Sequence, residues 1–261
     1  MKAEQFRERY GPVALVTGAS SGIGLAIAEE LAARGFDLVL TARRTDRLEA
    51  IAQRLLSKQG VRTWVIGEDL ADPAAPARLL AETQDCDIGL VVSNAGINLK
   101  GAFEANEASA MARMLIVNCH APMQLAHGFL PRLKARGRGG IIFTASVKGL
   151  VGCPYSAAYA ASKALVVSLG EGLWGECLDS GVDVLTLCPG AAQGEATVGT
   201  EGLRTLQPAA EVARLTLDNL QNGPTFVPSE HYRRMFENLR ALPRREALTG
   251  MARGMENFPS R

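Results

Sequence analysis

Histidine, paired cysteine, net charge and long apolar runs are all scarce in this sequence. Three histidines in 261 residues leave little for a metal site, and the one beside a cysteine, His120 next to Cys119, adjoins no cysteine pair. No metal is expected. The five cysteines, Cys86, Cys119, Cys153, Cys177 and Cys188, form no CxxC spacing and read as reduced thiols of a cytosolic protein. A formal net charge of +1 gives no general pull toward nucleic acid. No apolar run approaches the ~18 residues that span a bilayer. The opening MKAEQFRERYGP is too charged and polar for a signal peptide, so the expected location is cytoplasmic. No linker, composition break or internal repeat divides the chain.

What is present alternates. Short apolar runs, predicted strands, lie at Val13–Gly18, Phe36–Arg43, Val61–Leu70, Asp87–Gly96, Gly139–Ser146 and Val182–Gly190. Segments of helical period lie between them, at Gly24–Gly35, Asp46–Gly60, Asp72–Gln84, Ala105–Arg136 (bent near Pro122) and Ser156–Asp179. Beyond Gly190 the pattern loosens into a helix at Ala209–Gln221, a short strand PTFVP and a basic helical tail. Strands alternating with helices predict one doubly wound α/β domain over 1–261, with a mostly parallel seven-stranded sheet covered on both faces. Ligands of such sheets sit at the carboxyl ends of the strands.

The first strand runs into TGASSGIG, which opens the first helix. Gly18, Gly22 and Gly24 keep side chains out of the turn, with Ser20, Ser21 and Ile23 between them. The helix start then offers N–H groups and a partial positive charge to a pyrophosphate. A structural turn is the plainer alternative for a glycine trio. The second strand ends in TARRTDR: Ala42 stands where an acid would read a ribose 2′-hydroxyl, and Arg43 and Arg44 follow. Two guanidiniums suit a 2′-phosphate, so the expected cofactor is NADP(H). Arg43 is the favoured reader, whereas Arg44 also fits a surface arginine starting a helix. Asp46 is expected to cap that helix. Asp69, followed by Leu70, either accepts from an adenine amino group or makes a turn.

In YSAAYAASKALV, Tyr155, Tyr159 and Lys163 follow each other at four-residue steps, one helical face. A free phenol, with a pKa of about 10, exchanges protons poorly at neutral pH. An ammonium one turn away favours the phenolate and lowers that value. Tyr159 has Lys163 at that step and Tyr155 does not, so Tyr159 is the expected acid/base. Tyr155 is read as a substrate-pocket wall, with packing at the helix start an equal alternative.

TGASSGIG, SNAG (Ser93–Gly96), Asn118 in IVNCHAP, Ser146 in FTAS, YAASK and CPG (Cys188–Gly190) occur in one order, and in this the chain resembles the short-chain dehydrogenase/reductase family over about Val13–Gly190. The resemblance implies a Rossmann-like domain. It makes Tyr159 the acid/base, Lys163 its partner and holder of the nicotinamide ribose, Ser146 the carbonyl polariser, and Asn118 the holder of a proton-relay water. The plainer alternative for Asn118 is a buried amide satisfying a backbone kink before Pro122, and the two are compatible. The resemblance also places Asn94, Ala95, Gly96, Pro189 and Gly190 along the cofactor. A threonine usual after that proline-glycine is replaced here by Gln193 and Gly194, leaving Thr197 as a substitute.

The stretch 191–206 is small, polar and glycine-bearing, which fits a lid over ligand. Lys148, Cys153 and Tyr155 are expected around Ser146 in the substrate pocket, with Val147, Leu150 and Val151 as further candidates, and Lys148 is a candidate for an anionic group. The tail, about 229–261, carries apolar residues at helical steps (Met235, Phe236, Leu239, Leu242). It resembles the C-terminal segment of bacterial acyl or ketone reductases in the family. Packing over the active site or a subunit neighbour is the plain reading, and contact with a membrane surface or an acidic carrier the less favoured one. The expected activity is NADP(H)-dependent interconversion of a small-molecule ketone or aldehyde and an alcohol. The alternatives are a 3-oxoacyl-type thioester reductase and a catalytically silent NADP(H) sensor. A homodimer or homotetramer is expected by resemblance, through the helices carrying Asn118 and Tyr159.

Overall fold

A computed structural model describes residues 3–194 and 205–255. Seven strands, β1 (Val13–Thr17), β2 (Asp37–Ala42), β3 (Thr63–Gly67), β4 (Ile88–Ser93), β5 (Gly139–Thr144), β6 (Val182–Leu187) and β7 (Thr225–Phe226), form one sheet in the order 3-2-1-4-5-6-7. Every pairing is parallel. The fold is the single Rossmann-like domain expected. The order reverses between β1 and β4, the point at which such sheets open a crevice for ligand. The strands are two to six residues long, shorter than the apolar runs in the sequence, because each run continues past its ladder into a loop at the sheet's carboxyl edge.

Ten helices are described: α1 (Ala3–Tyr10), α2 (Gly22–Ala33), α3 (Thr45–Gln59), α4 (Ala75–Glu82), α5 (Ala108–Leu115), α6 (Ala121–Arg136), α7 (Ala157–Glu176), α8 (Ala209–Asp218), α9 (Glu230–Ala241) and α10 (Arg244–Met255). They cover both faces and divide the apolar interior in two. One core joins α1, α2, α3 and α8 to the sheet, and the other joins α6, α7 and α9 to the opposite face. The near-continuous apolar strands follow from burial on both sides.

Two expectations change here. The single helix over 105–136 is broken: α5 and α6 are joined by a π-helical turn, Ile116–His120. Pro122 has no N–H to return to the carbonyl of residue 118, and the Ala121 N–H reaches back instead to Ile116. Asp46 does not cap α3. Arg44 is the N-cap residue, and Asp46 sits inside the first turn, where its charge suits the helix dipole. All five cysteines are free thiols. Among the described residues, no helix is long and apolar enough to cross a membrane, and no cluster could hold a metal ion.

Close approach fixes where α7 lies. A Cβ on Gly170 would fall 1.9 Å from Thr186 Oγ1 on β6, and one on Gly149 would fall 2.7 Å from the Lys163 carbonyl carbon. Glycine at both places lets α7 press on the sheet and on the turn after β5. Ser146 is thereby held beside the helix that carries Tyr159.

Candidate active site

One cavity of about 1100 Å³ runs along the carboxyl edge of the sheet, from the β1 and β2 ends to the underside of α9 and α10. Its first part is the glycine turn. Gly18 has φ +67°, and a Cβ there would lie 2.9 Å from the Ala95 Cα. Gly24 packs so tightly that a Cβ would lie 2.4 Å from Asn94 Nδ2. Ser21 stands at the N-cap of α2 without a side-chain capping bond, so the first turn's N–H groups are left to a ligand. Thr17 Oγ1 accepts from the Asn94 and Ala95 N–H groups at 2.9 and 3.0 Å. Asn94 Nδ2 donates to the Thr17 carbonyl at 3.1 Å, and its Oδ1 accepts from Thr144 at 3.2 Å. Asn94 therefore ties β1, β4 and β5 together as well as lining the cavity with Ala95 and Gly96. These are features of a dinucleotide cradle, and the residues fit that group.

At the β2 end Arg43 and Arg44 both line the cavity. Arg44 is not the idle surface arginine that its place at a helix start allowed: its guanidinium donates to Ser20 Oγ at 3.0 Å and Ser21 Oγ at 3.3 Å, above the glycine turn. Arg43 is exposed and close enough to Asp69 to pull its pKa down. Asp69 accepts from the Ala71 N–H at 3.1 Å and from Arg113 at 2.6 Å. Burial alone would raise this carboxyl, but those two bonds hold it below the usual range. Both expectations for Asp69 thus have a footing, a turn and a cavity wall. Arg113, on α5, was invisible in the sequence: it carries no motif and lies 44 residues from its partner. Leu70 is buried against Ala75 and Ala121 and completes that wall.

Ser146, Tyr159, Lys163 and Asn118 converge where β4, β5 and α7 meet. Lys163 is 3% exposed and donates to the Thr144 carbonyl at 2.7 Å, its Nζ 5.8 Å from the Tyr159 ring centre. Burial lowers its pKa to about 8, with Cys119 and Cys188 opposing. The Tyr159 phenol is pushed up to about 12 by burial, against a lowering hydrogen bond with Ser146. This corrects the sequence expectation: in this arrangement desolvation sets the phenol's pKa, and the Lys163 ammonium is turned to the Thr144 carbonyl. Asn118 Oδ1 accepts from the Ile97 N–H at 2.8 Å, while Nδ2 donates to the Ile97 carbonyl at 2.9 Å and Ser162 Oγ at 3.0 Å. Presented by the π-helical turn, it holds the loop after β4 to α7. A Cβ on Gly96 would lie 3.3 Å from Lys163 Nζ and 3.4 Å from Asn118 Oδ1, so these two atoms meet across a glycine.

Ser146 lies two residues beyond β5 rather than at its end, and its Oγ accepts from the Lys148 N–H at 3.2 Å. Lys148, Cys153 and Tyr155 all line the cavity, as do Pro189 and Gly190. Tyr155 has φ +56°, a conformation costly for a bulky residue, and its carbonyl accepts from the Gly101 N–H at 2.9 Å. The tail forms the roof. Phe236 is 3% exposed, in one cluster with Val147, Leu150, Val151, Tyr232 and Leu248, and Met235, Leu239 and Met251 face the cavity. Tyr232 packs on Gly190, where a Cβ would meet its ring at 2.0 Å, and donates to Thr205 Oγ1 at 3.2 Å. The described part of the tail, to Met255, therefore packs over the site; of its four apolar residues Leu242 is 47% exposed, and Met235, which lines the cavity, 37%. His231 and Tyr232 were not foreseen. Of the lid, 191–194 and 205–206 are described: Gln193 donates its N–H to the Gln207 carbonyl at 2.9 Å, and Gly194 lies against Gly22. Thr197 lies outside the described residues.

A family model for short chain dehydrogenases matches residues 12–201. The chain belongs to that family. A 7beta-hydroxysteroid dehydrogenase of Clostridium sardiniense is 36% identical over 186 residues, 71% of this chain and 71% of that protein. A short-chain dehydrogenase from Sphingobium yanoikuyae, solved in complex with NADPH, superposes with a TM-score of 0.80 at 33% identity, covering 92% of this chain and 96% of its own. A structure from work on 7beta-hydroxysteroid dehydrogenase stereoselectivity superposes at 0.89 over 94% of this chain and 98% of its own, and at 24% identity shows the shared fold. This short-chain dehydrogenase is an oxidoreductase of carbonyl and alcohol groups, and its nucleotide-binding fold is one that takes NAD(P)(H).

Proposed function

We propose that this enzyme interconverts a ketone and a secondary alcohol on a bulky, largely apolar small molecule, with NADP(H) as cofactor. The observation that carries the reading is the shape of one cavity: arginines at one end, a Ser146–Tyr159–Lys163 group in the middle with Ser146 and Lys163 buried, an apolar roof at the other. Arg43 and Arg44, with no acid at the β2 end, favour a 2′-phosphate over a 2′-hydroxyl. Met235, Leu239 and Met251 favour an extended apolar substrate over a sugar. The 7beta-hydroxysteroid dehydrogenase relative supports the same size class. The intact acid/base group argues against a silent sensor.

Bound nicotinamide supplies or accepts the hydride. The chain's own residues do the rest. In reduction, Ser146 Oγ donates a hydrogen bond to the substrate carbonyl oxygen as negative charge gathers there. Tyr159 gives its hydroxyl proton to that oxygen; a phenol held near 12 is fully protonated at neutral pH, ready for this direction. Lys163, with a pKa of about 8, remains largely cationic at neutral pH and stabilises the phenolate left behind. Asn118 keeps the loop after β4 at the distance that lets Lys163 approach it. In oxidation the same proton travels the other way. The exposed Leu115, Met123 and Leu165 on α5, α6 and α7 support pairing of copies through these helices.

The test is NADPH oxidation with a panel of cyclic and bulky ketones, small ketones, sugars and 3-oxoacyl thioesters, with Tyr159→Phe as the blank. Turnover above the blank that favours the bulky ketones is the expected result. A preference for thioesters or sugars would overturn the substrate class, and no turnover with NADPH still bound would favour the sensor.

A further inference from the structure

Among the described residues, the substrate end of the cavity holds a lysine with no carboxylate beside it. Lys148, half-buried, lies on the turn that carries Ser146, next in sequence to Val147 of the apolar cluster that also holds Leu150, Val151, Phe236 and Leu248. Its ammonium donates to Ser156 Oγ at 2.8 Å, a neutral partner. A buried cation ordinarily has a carboxylate beside it. Here the only carboxylates among the described cavity residues are Glu68 and Asp69, both at the β3 end, held by Arg78 and Arg113. Burial lowers the Lys148 pKa; the Cys153 thiol beside it works the other way, and Lys100, on the loop opposite, lowers it further. That loop is clipped in place by the Gly101 N–H to Tyr155 carbonyl bond, in which both residues hold positive φ, +109° and +56°. Lys100 and Lys148 thus line one cavity.

Resting on the reductase reading above, we propose that Lys148 and Lys100 form a clamp for an anionic group, so that the substrate is a bulky apolar ketone or alcohol that also carries a carboxylate or sulfonate. Lys148 supplies the main contact because it is shielded from water, where a charge-assisted bond is strongest; Lys100, exposed at the rim, steers and adds less. Ser146 fixes the reacting oxygen and Lys148, two residues on, fixes the far charged end. A single turn therefore sets which carbon of the substrate meets the hydride.

Three matched probes test this: a ketosteroid with a side-chain carboxylate, its methyl ester, and its sulfonate counterpart. Turnover and binding to the NADPH-loaded enzyme, by quenching of nicotinamide fluorescence, are read together. The wild type should favour the carboxylate over the ester by ~10-fold or more in kcat/KM. Lys148→Met should bring that ratio to within ~2-fold, Lys148→Arg should keep most of it, and Lys100→Met should reduce it ~3-fold. Equal preference for the carboxylate and the sulfonate would make charge alone the requirement; preference for one would name the headgroup. Loss of a buried, unanswered charge leaves Lys148→Met folded, with an unchanged or higher thermal midpoint. An unchanged ratio in Lys148→Met, or a wild type indifferent to the ester, overturns the clamp. If the three probes neither bind nor react while Tyr159-dependent turnover of uncharged ketones persists, the clamp falls and the reductase stands. If no carbonyl gives Tyr159-dependent turnover, the reductase reading falls with it.

Discussion

The two ends of the cavity are built in opposite ways. The cofactor end is backbone: glycines, a bare helix start and strand termini locked by Thr17 and Asn94 into one rigid edge. The substrate end is side chains on two C-terminal helices, α9 and α10, laid over the turn after β5. Backbone cannot be changed one residue at a time without clash, whereas a roof of Met, Leu and Phe can be. The difference teaches that reaction class and substrate choice are separable in this protein. Under the proposed function, chemistry belongs to the sheet edge and specificity to the roof.

That separation can be broken or sharpened by substitution. Tyr159→Phe removes the proton donor and should lower turnover of every carbonyl by ~100-fold or more, with NADPH affinity kept, by steady-state kinetics and fluorescence titration. A loss confined to one substrate class would mean Tyr159 belongs to the specificity end. Next in size, Arg44→Ala or Arg43→Ala should weaken NADPH by ~10-fold or more and NADH little, the scale of a lost charge-assisted hydrogen bond of ~1.5–3 kcal/mol. Equal weakening of both cofactors would mean that neither arginine reads the phosphate.

Phe236→Ala at the roof should cost ~3 kcal/mol of stability, measured by urea denaturation, since the ring is 3% exposed. It should raise KM for bulky ketones while leaving NADPH binding within ~2-fold. A matching loss of NADPH affinity would show that the two ends are mechanically one.

The pH dependence probes the seam between them. Burial lowers Lys163 from 10.5 to about 8. The folded protein therefore gives up this proton before the unfolded chain does. The penalty is fully present below pH 8 and relieved as pH rises toward 10.5, a gain on the order of 3 kcal/mol. Tyr159, raised to about 12, works in reverse and erodes stability above pH 10. Lys163→Met should lack the rise between pH 8 and 10, by denaturation at each pH; an identical profile would mean Lys163 is not held as a buried cation. The smallest effect belongs to Arg113→Ala, which frees Asp69 and should weaken cofactor binding by only a few-fold, the bond being exposed.

Tyr159 and Lys163 were legible because a helix converts a four-residue step into a shared face, and the glycine turn because its spacing follows from backbone geometry. The strand order was legible in kind, since alternating strands and helices leave a parallel sheet few options. Arg113, Tyr232 and the shared cavity of Lys100 and Lys148 were not, because each partner lies tens of residues away and no local rule joins them. The phenol's pKa was misjudged for the same reason: sequence gives the neighbouring charge but not the burial that opposes it. Thus the local periodicities of the sequence by themselves determined the α/β class and the nucleotide turn, and singled out Tyr159 as the proposed acid/base. Only the tertiary structure decided what lies over that site, since burial and through-space charge depend on segments that meet only when the chain is folded.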